Sequence, residues 1–386
     1  MTTPHVKQRK NSDIEALRAL AIILVIFAHI ALILSPQSIY WDVLADFRFG
    51  YGVDIFFCVS GFIITKSIAN EIPSSRSFHE LLELCVPFWV RRFWRLMPSA
   101  LFWIGVSLLL SYLYGGKGVF LQLEIFVHSA LAAALQYMNV VYAVSRDTGT
   151  LGDVGIYWSL SLENQFYLVL PIIAVLAGRR WMPAVFIAVF LAQFFLTRQL
   201  IRPTPELWAF RTDAISLGVL LALWQGSESY KRLEPTFLKN GWIVVILLAA
   251  MIVLLAALTA PNPPLPFAMG LTAVGSGLLV WVATYNKDYL SGHRALVAVC
   301  NYIGSRSYAI YLTHVIALSL VRHWFFAAPG DSQPTPFAGG YTALYIAVFV
   351  AITLLFSEFN YRYIENPMRR RGEKLSRNLK SRFAVA

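Results

Sequence analysis

Residues 14–34 read IEALRALAIILVIFAHIALIL. A helix needs roughly 20 mostly apolar residues to cross about 30 Å of hydrocarbon, and this run meets that length. Two ionisable side chains interrupt it, Arg18 and His29. Eleven residues is close to three turns, so the two point the same way, about 16 Å apart along the axis. A single polar stripe therefore climbs an otherwise apolar helix. An ionisable group inside a span costs about 2.5–3.5 kcal/mol and is retained where it lines a cavity or finds a partner. The plainer reading is that Arg18 snorkels to lipid phosphate and His29 bonds a neighbouring carbonyl.

The rest of the chain has the same character. Of 386 residues 58% are hydrophobic and 14% are charged. A soluble domain runs near 45–50% apolar and 25% charged, so an ordinary soluble enzyme and a disordered chain are both excluded. Ten segments are long and apolar enough to span: 14–34, 50–68, 97–114, 156–177, 182–198, 208–224, 241–259, 267–285, 305–325 and 341–360. The expected fold is an all-α, polytopic membrane helix bundle of about ten transmembrane helices. Its parts are an N-terminal tail (1–13), a membrane domain (14–360) and a basic tail (361–386). The first apolar run has no small-residue cleavage site after it, so it reads as a span and not a signal peptide. Cys58, Cys85 and Cys300 are widely spaced and form no disulfide framework or zinc pattern. No metal is expected.

The net charge of +11, from 32 Lys and Arg against 21 Asp and Glu, would suggest nucleic acid in a soluble protein. In a membrane protein it is first a topology signal. With ten crossings and both termini cytoplasmic, 25 of the 32 basic residues fall on the inner side. Arg48, Lys117, Arg146, Arg198, Arg202, Arg211 and Arg322 fall outside or near the outer ends. The partner is thus the bilayer, with no nucleic acid. Segment 120–144 is apolar but carries Gln122, Glu124, His128, Gln136 and Asn139. If it crossed, the basic tail would face outward, so it reads as interfacial, re-entrant or a folded-back helix pair.

The polar residues inside spans are the informative ones. Asp54 opens the second span and lies at a depth that can match His29. An Asp against a His fixes its tautomer and raises its basicity, whereas an Asp at a helix N-terminus is also favoured by the macrodipole alone. Ser60-Gly61 marks close helix packing more readily than chemistry. Arg91, Arg92 and Arg95, just before Pro98, suit phosphate binding at the start of a helix or, equally, anchoring to anionic lipid. Trp158 reads as an interface anchor. Glu163, Asn164 and Gln165 point in three directions on a helix, and Glu163 is the costly one to bury. His314 adds an ionisable group to the ninth span, with a hydrogen bond to a neighbouring helix as its plain reading.

Taken in order, these stretches resemble the membrane-bound acyltransferase-3 family of bacterial O-acyltransferases. Arg18 and His29 match its Arg-x10-His signature, and GVDIFF (52–57) with Ser60-Gly61-Phe62 matches the start of its second helix. Arg92 and Arg95 with Pro98 match its Arg-x-x-Arg motif, and WSLSLENQFY (158–167), which includes Glu163 and Tyr167, matches a further block. Ser307-Tyr308, Tyr311-Leu312 and His314 resemble a late segment, and Glu365-Asn366-Pro367 the final Glu-x-Pro. Ala19 and Asn164 depart from residues common in the family, Gly and a second Glu. The Asn164 departure weakens any two-carboxylate mechanism. The chain runs about 26 residues past its final span, so the C-terminal hydrolase-like domain of some members is not expected here.

The resemblance implies transfer of an acyl group, most often acetyl, from cytoplasmic acyl-CoA (acetyl-CoA). The acceptor would be a hydroxyl of a cell-surface polysaccharide, such as exopolysaccharide or lipopolysaccharide, or a lipid-linked glycan precursor. The location would be the bacterial cytoplasmic (inner) membrane. Arg18, Arg92 and Arg95 would hold the donor's phosphates, with its arm along the Arg18–His29 stripe. His29 would act as general base, with Asp54 or Glu163 orienting its ring. The competing readings are a multi-span transporter or flippase of a glycan or lipid-linked substrate, and an acyltransferase acting on a small molecule such as an antibiotic. Neither an inverted repeat nor paired broken helices favours the transporter.

Overall fold

The computed structural model describes residues 11–34, 38–73, 77–116, 119–145, 148–196, 198, 209–261, 263, 265–292, 294–326 and 341–383. Most of the expected N-terminal tail lies outside the described residues, as do Arg76, Lys117, Arg146 and Arg202 and positions 262 and 264 of the loop between the seventh and eighth spans. The helices are α1 (Ser12–His29), α2 (Tyr40–Asp46), α3 (Gly52–Ile68), α4 (Phe78–Tyr114), α5 (Leu123–Ala134), α6 (Met138–Ser145), α7 (Tyr157–Phe194) and α8 (Asp213–Trp224). They continue as α9 (Glu228–Arg232), α10 (Gly241–Leu258), α11 (Ala268–Thr284), α12 (Arg294–Phe326), α13 (Thr342–Phe359) and α14 (Asn366–Phe383). No strand occurs among the described residues.

Each of the ten expected spans falls on a helix. Six helical stretches are long and apolar enough to cross a bilayer: Ser12–Ile33, Phe78–Tyr114, Gly152–Phe194, Gly241–Leu258, Leu296–Phe326 and Thr342–Phe383. Shorter apolar helices, α5, α8 and α11, fill in between them. The chain is a multi-pass, all-α membrane protein.

The long α7 is two legs. Gly178 has φ 66° and ψ 168°, a combination open almost only to glycine. Phe166 and Phe186 stand with ring centroids 6.1 Å apart. Twenty residues of straight helix would separate them by about 30 Å, so the chain doubles back at Gly178. The expected fourth and fifth spans are therefore present as a folded-back pair.

Segment 120–144 is a pair of short helices, α5 and α6, joined by a break at 135–137. Its break is a Schellman cap: Tyr137 N–H donates to the Ala132 carbonyl (3.0 Å) and Gln136 N–H to that of Ala133 (3.3 Å). Gln136 takes the left-handed position there, with φ 61°, where glycine is usual. The loop expected before Pro98 is instead helix. α4 runs unbroken from residue 78 to 114 with Pro87 and Pro98 inside it. A proline removes one N–H···O=C bond, and neighbouring helices in a bundle re-satisfy the freed groups.

The site is framed by α1, α3, α4, α7 and α12. Asn11 caps α1, accepting from the Ile14 N–H at 3.0 Å. Buried Asp13 accepts from the N–H groups of Tyr289, Leu290 and Ser291 at 3.1, 2.9 and 3.0 Å, which ties the foot of α1 to the loop before α12. α3 and α8 cross at close range: a Cβ on Gly61 would strike the Ile215 carbonyl, and one on Gly218 the Cys58 carbonyl. α14 runs back along α4, with Gly372 against Trp94 and the Arg371 guanidinium 4.7 Å over the Trp94 ring.

Candidate active site

A cleft opens among these five helices. Arg18 from α1, Ser60 from α3, Arg92 and Arg95 from α4, Glu163 and Tyr167 from α7, and Ser307, Tyr308 and Tyr311 from α12 line it. These nine residues, all named in the sequence, thus converge on one cavity. Arg91 is half-buried on the same turn of α4 but does not line it.

The arginines are not spent on one another's counter-ions. Arg18 pairs with Glu15, at 3.2 Å and one turn below it. Arg92 lies 5.5 Å over the Phe88 ring and 5.7 Å over the Tyr167 ring, and its buried Nε has no partner. Glu365, in the π-helical turn Asn360–Glu365, is buried within electrostatic reach of Arg18 and Arg95. Its Oε2 is also without a partner.

Glu163 holds a compact hydroxyl cluster. Ser60 Oγ donates to its Oε1 at 2.5 Å, and Tyr167 OH donates to the same oxygen. Ser60 Oγ also lies 2.5 Å from Tyr167 OH. Asn164 and Gln165 turn away, as their spacing predicts. Asn164 Nδ2 donates to Gln136 Oε1 (2.6 Å), and Gln165 Nε2 to the Gln136 carbonyl and Asn139 Oδ1 (both 2.8 Å). The Asn at 164 thus latches the α5–α6 break and does not face the cleft.

The histidines stand beyond the cleft's far end. His29 Nδ1 donates to the Val25 carbonyl at 2.7 Å. His314 Nδ1 donates to the Tyr311 carbonyl at 2.8 Å. Since a carbonyl only accepts, each neutral ring keeps its free lone pair on Nε2. The two rings face each other edge-on, centroids 5.1 Å apart. Tyr311 lies between them and the cavity, 5.6 Å from the His314 ring, with its hydroxyl 2.7 Å from Ser159 Oγ. The stripe on α1 therefore faces α12.

Asp54 is not beside His29. The start of α3 is level with Ala21 and Val25, where a Cβ on Gly52 would touch both, so Asp54 sits nearer the Arg18 end than its place in the sequence suggested. Its Oδ1 is bound by Arg211 at 2.5 Å, and beside this pair Arg198 binds Asp213 at 2.5 Å. Arg198 and Arg211, expected near the outer surface, are both buried. Trp158 is half-buried, its ring 6.0 Å from Phe57 and 5.7 Å from the Arg211 guanidinium. Sequence reading missed this four-charge cluster and Glu15. A basic residue just outside a span reads as topology, and nothing local marks it as a partner for a distant carboxylate.

The protein named O-acetyltransferase OatA from Staphylococcus aureus (strain MRSA252) is 26% identical over 96% of this chain and 60% of its own length. The Peptidoglycan O-acetyltransferase OatA of Listeria monocytogenes is 26% identical over 96% of this chain and 57% of its own. This chain therefore spans a little over half the length of these relatives. No solved structure matches. The profile of the family described as Acyltransferase domain, acyltransferase-3, matches residues 11–357, which include every element of the cleft but Glu365; the chain belongs to that family.

Proposed function

We propose that the protein is an integral-membrane O-acyltransferase. It takes an acyl group, in the first instance acetyl, from cytoplasmic acyl-CoA and passes it to a hydroxyl of a cell-surface glycan or its lipid-linked precursor. The relatives' names make peptidoglycan the first acceptor to try. The observation that carries the proposal is the course of the cleft. Three arginines gather at one end, and beyond the other end stand two imidazoles with free Nε2 lone pairs.

Acyl-CoA carries phosphates at one end and a thioester at the tip of a long arm. Arg18, Arg92 and Arg95 suit the phosphates, since charge-assisted bonds from a guanidinium are about twice as strong as neutral ones. The arm then follows the cleft past Ser60 and Glu163 toward Tyr311, which brings the thioester to the histidines. His29 is half-buried, so an acceptor reaches it from the side away from the cleft. Its Nε2 takes the hydroxyl proton as the oxygen attacks the thioester carbonyl. The Val25 carbonyl, not Asp54, fixes its tautomer. Glu163 is a positioning residue: it pins Ser60 and Tyr167 and offsets the charge of Arg92. In this reading the membrane is the bacterial cytoplasmic membrane and the arginine end of the cleft faces the cytoplasm, which the charge bias of the sequence supports.

The test is transfer of label from radioactive acetyl-CoA into base-labile esters of membranes with and without the protein. His29→Ala abolishes transfer while the protein still inserts. Replacing Arg92 and Arg95 together by Ala raises the KM for acetyl-CoA. Labelling that does not depend on the protein overturns the proposal, and an unchanged KM returns the two arginines to lipid anchoring.

A further inference from the structure

His314 has no part in the reaction as written so far, yet its surroundings are unusual for a structural histidine. It is fully buried, its Nδ1 is tied to the backbone of its own helix, and its Nε2 has no partner. A buried polar atom left unpaired costs free energy, about 1–3 kcal/mol, so an asparagine or an apolar residue would be the cheaper filler. The unpaired nitrogen belongs to the ring that faces His29. That ring also stands next to Tyr311, the last residue of the donor cleft. His314 thus sits between the group that receives a proton and the place where a thiolate departs.

Acyl transfer from a thioester needs both events. The acceptor O–H bond breaks and the thiol S–H bond forms, at two different points in space. We propose that His29 and His314 form a proton relay, in which His29 accepts the proton of the acceptor hydroxyl and His314 returns it to the departing thiolate. This rests on the acyl-transfer reading of the cleft. The step balances: the acceptor O–H and the acyl C–S bonds break, and the O–acyl and S–H bonds form. Nothing is oxidised or reduced. The proton passes from acceptor oxygen to His29 Nε2, to His314 Nε2, to sulfur. Neither ring gives up its backbone bond, because Nδ1 keeps its hydrogen throughout. Both histidines end as they began.

The relay makes a prediction that a structural role does not. His314→Asn and His314→Gln keep an N–H group for the Tyr311 carbonyl but have no basic nitrogen. They are measured in detergent-permeabilised membranes that carry the full chain and the cell's own acceptor, with two labelled donors, acetyl-CoA and S-phenyl thioacetate. Thiophenolate leaves without being protonated, because leaving-group ability rises as thiol pKa falls. With acetyl-CoA, turnover falls by about 10²-fold or more at unchanged KM. With the phenyl donor, each variant stays within about threefold of the wild-type rate on that donor. That second rate also shows that the variant is folded. Wild-type turnover of acetyl-CoA by either variant overturns the relay. So does an equal loss on both donors in a variant present at wild-type level whose His314→Ala counterpart is not rescued by added imidazole. His29→Ala separates the two levels of the argument: loss on both donors upholds His29 as the base, full activity on both removes His29 and the relay with it, and only labelling that does not depend on the protein ends the acyl-transfer reading itself.

Discussion

At the scale of single residues, Glu163 and Asp54 are two carboxylates with different tasks. Glu163 faces the cleft and gathers two hydroxyls; Asp54 is consumed by Arg211. Glu163→Gln keeps the shape and an acceptor oxygen but replaces the carboxylate that binds Ser60 and Tyr167 and offsets Arg92 with a neutral, weaker acceptor. Turnover is expected to fall about 10²-fold, the usual penalty when a substrate-positioning contact is lost, as label transfer from acetyl-CoA would show. Asp54→Asn removes one of the two carboxylates from the buried four-charge cluster. Breaking a buried pair from one side is destabilising, so this variant is expected to accumulate poorly and to melt early in a detergent thermal-shift assay. What could be read from sequence at this scale was the side chains whose cost is visible in place: Arg18, His29, Glu163 and His314 each interrupt an apolar run. What could not be read was pairing. Asp54 and Arg211 meet across 157 positions, and the depth of Asp54 depends on how α3 slides against α1.

At the scale of elements, the helices were legible and their ends were not. Apolar runs of about 20 residues identify spans whatever lies around them. Proline was the misleading sign. Pro98 reads as a helix start, yet α4 carries it in mid-course, so Arg92 and Arg95 project from a rigid rod and not from a loop. The doubling back at Gly178 is written in one residue whose backbone angles only glycine tolerates. Gly178→Ala meets no obstructing atom within 4 Å, so its effect isolates backbone strain. It is expected to cost about 1–3 kcal/mol and lower the detergent melting temperature without changing donor KM. Gly218→Leu works the other way. It forces α8 off the Cys58 carbonyl and so displaces α3, which carries Ser60; both protein yield and turnover are expected to drop.

For the whole molecule, orientation is tested through the tail. The positive-inside count favours both ends of the chain in the cytoplasm, and the arginine end of the cleft lies beside Glu365, at the head of α14. A reporter fused after residue 383 is expected to be active only if it works in the cytoplasm; an active periplasmic reporter there would invert the whole arrangement. The mixed fate of the basic residues also belongs to this scale. Some set topology and others hold buried carboxylates or face the cleft, and only the assembled bundle distinguishes them.

The docking of α14 on α4 has a genetic consequence. Arg371 and Gly372 brace Trp94, which lies between Arg92 and Arg95 in the sequence of α4. A stop codon anywhere between 366 and 371 would spare every span and every residue that lines the cavity. Such an allele would be scored as harmless by any rule that weighs damage by distance from the active site. If Arg92 and Arg95 hold the donor as proposed, it is nonetheless expected to behave as a weak-binding allele, active only when the donor is abundant.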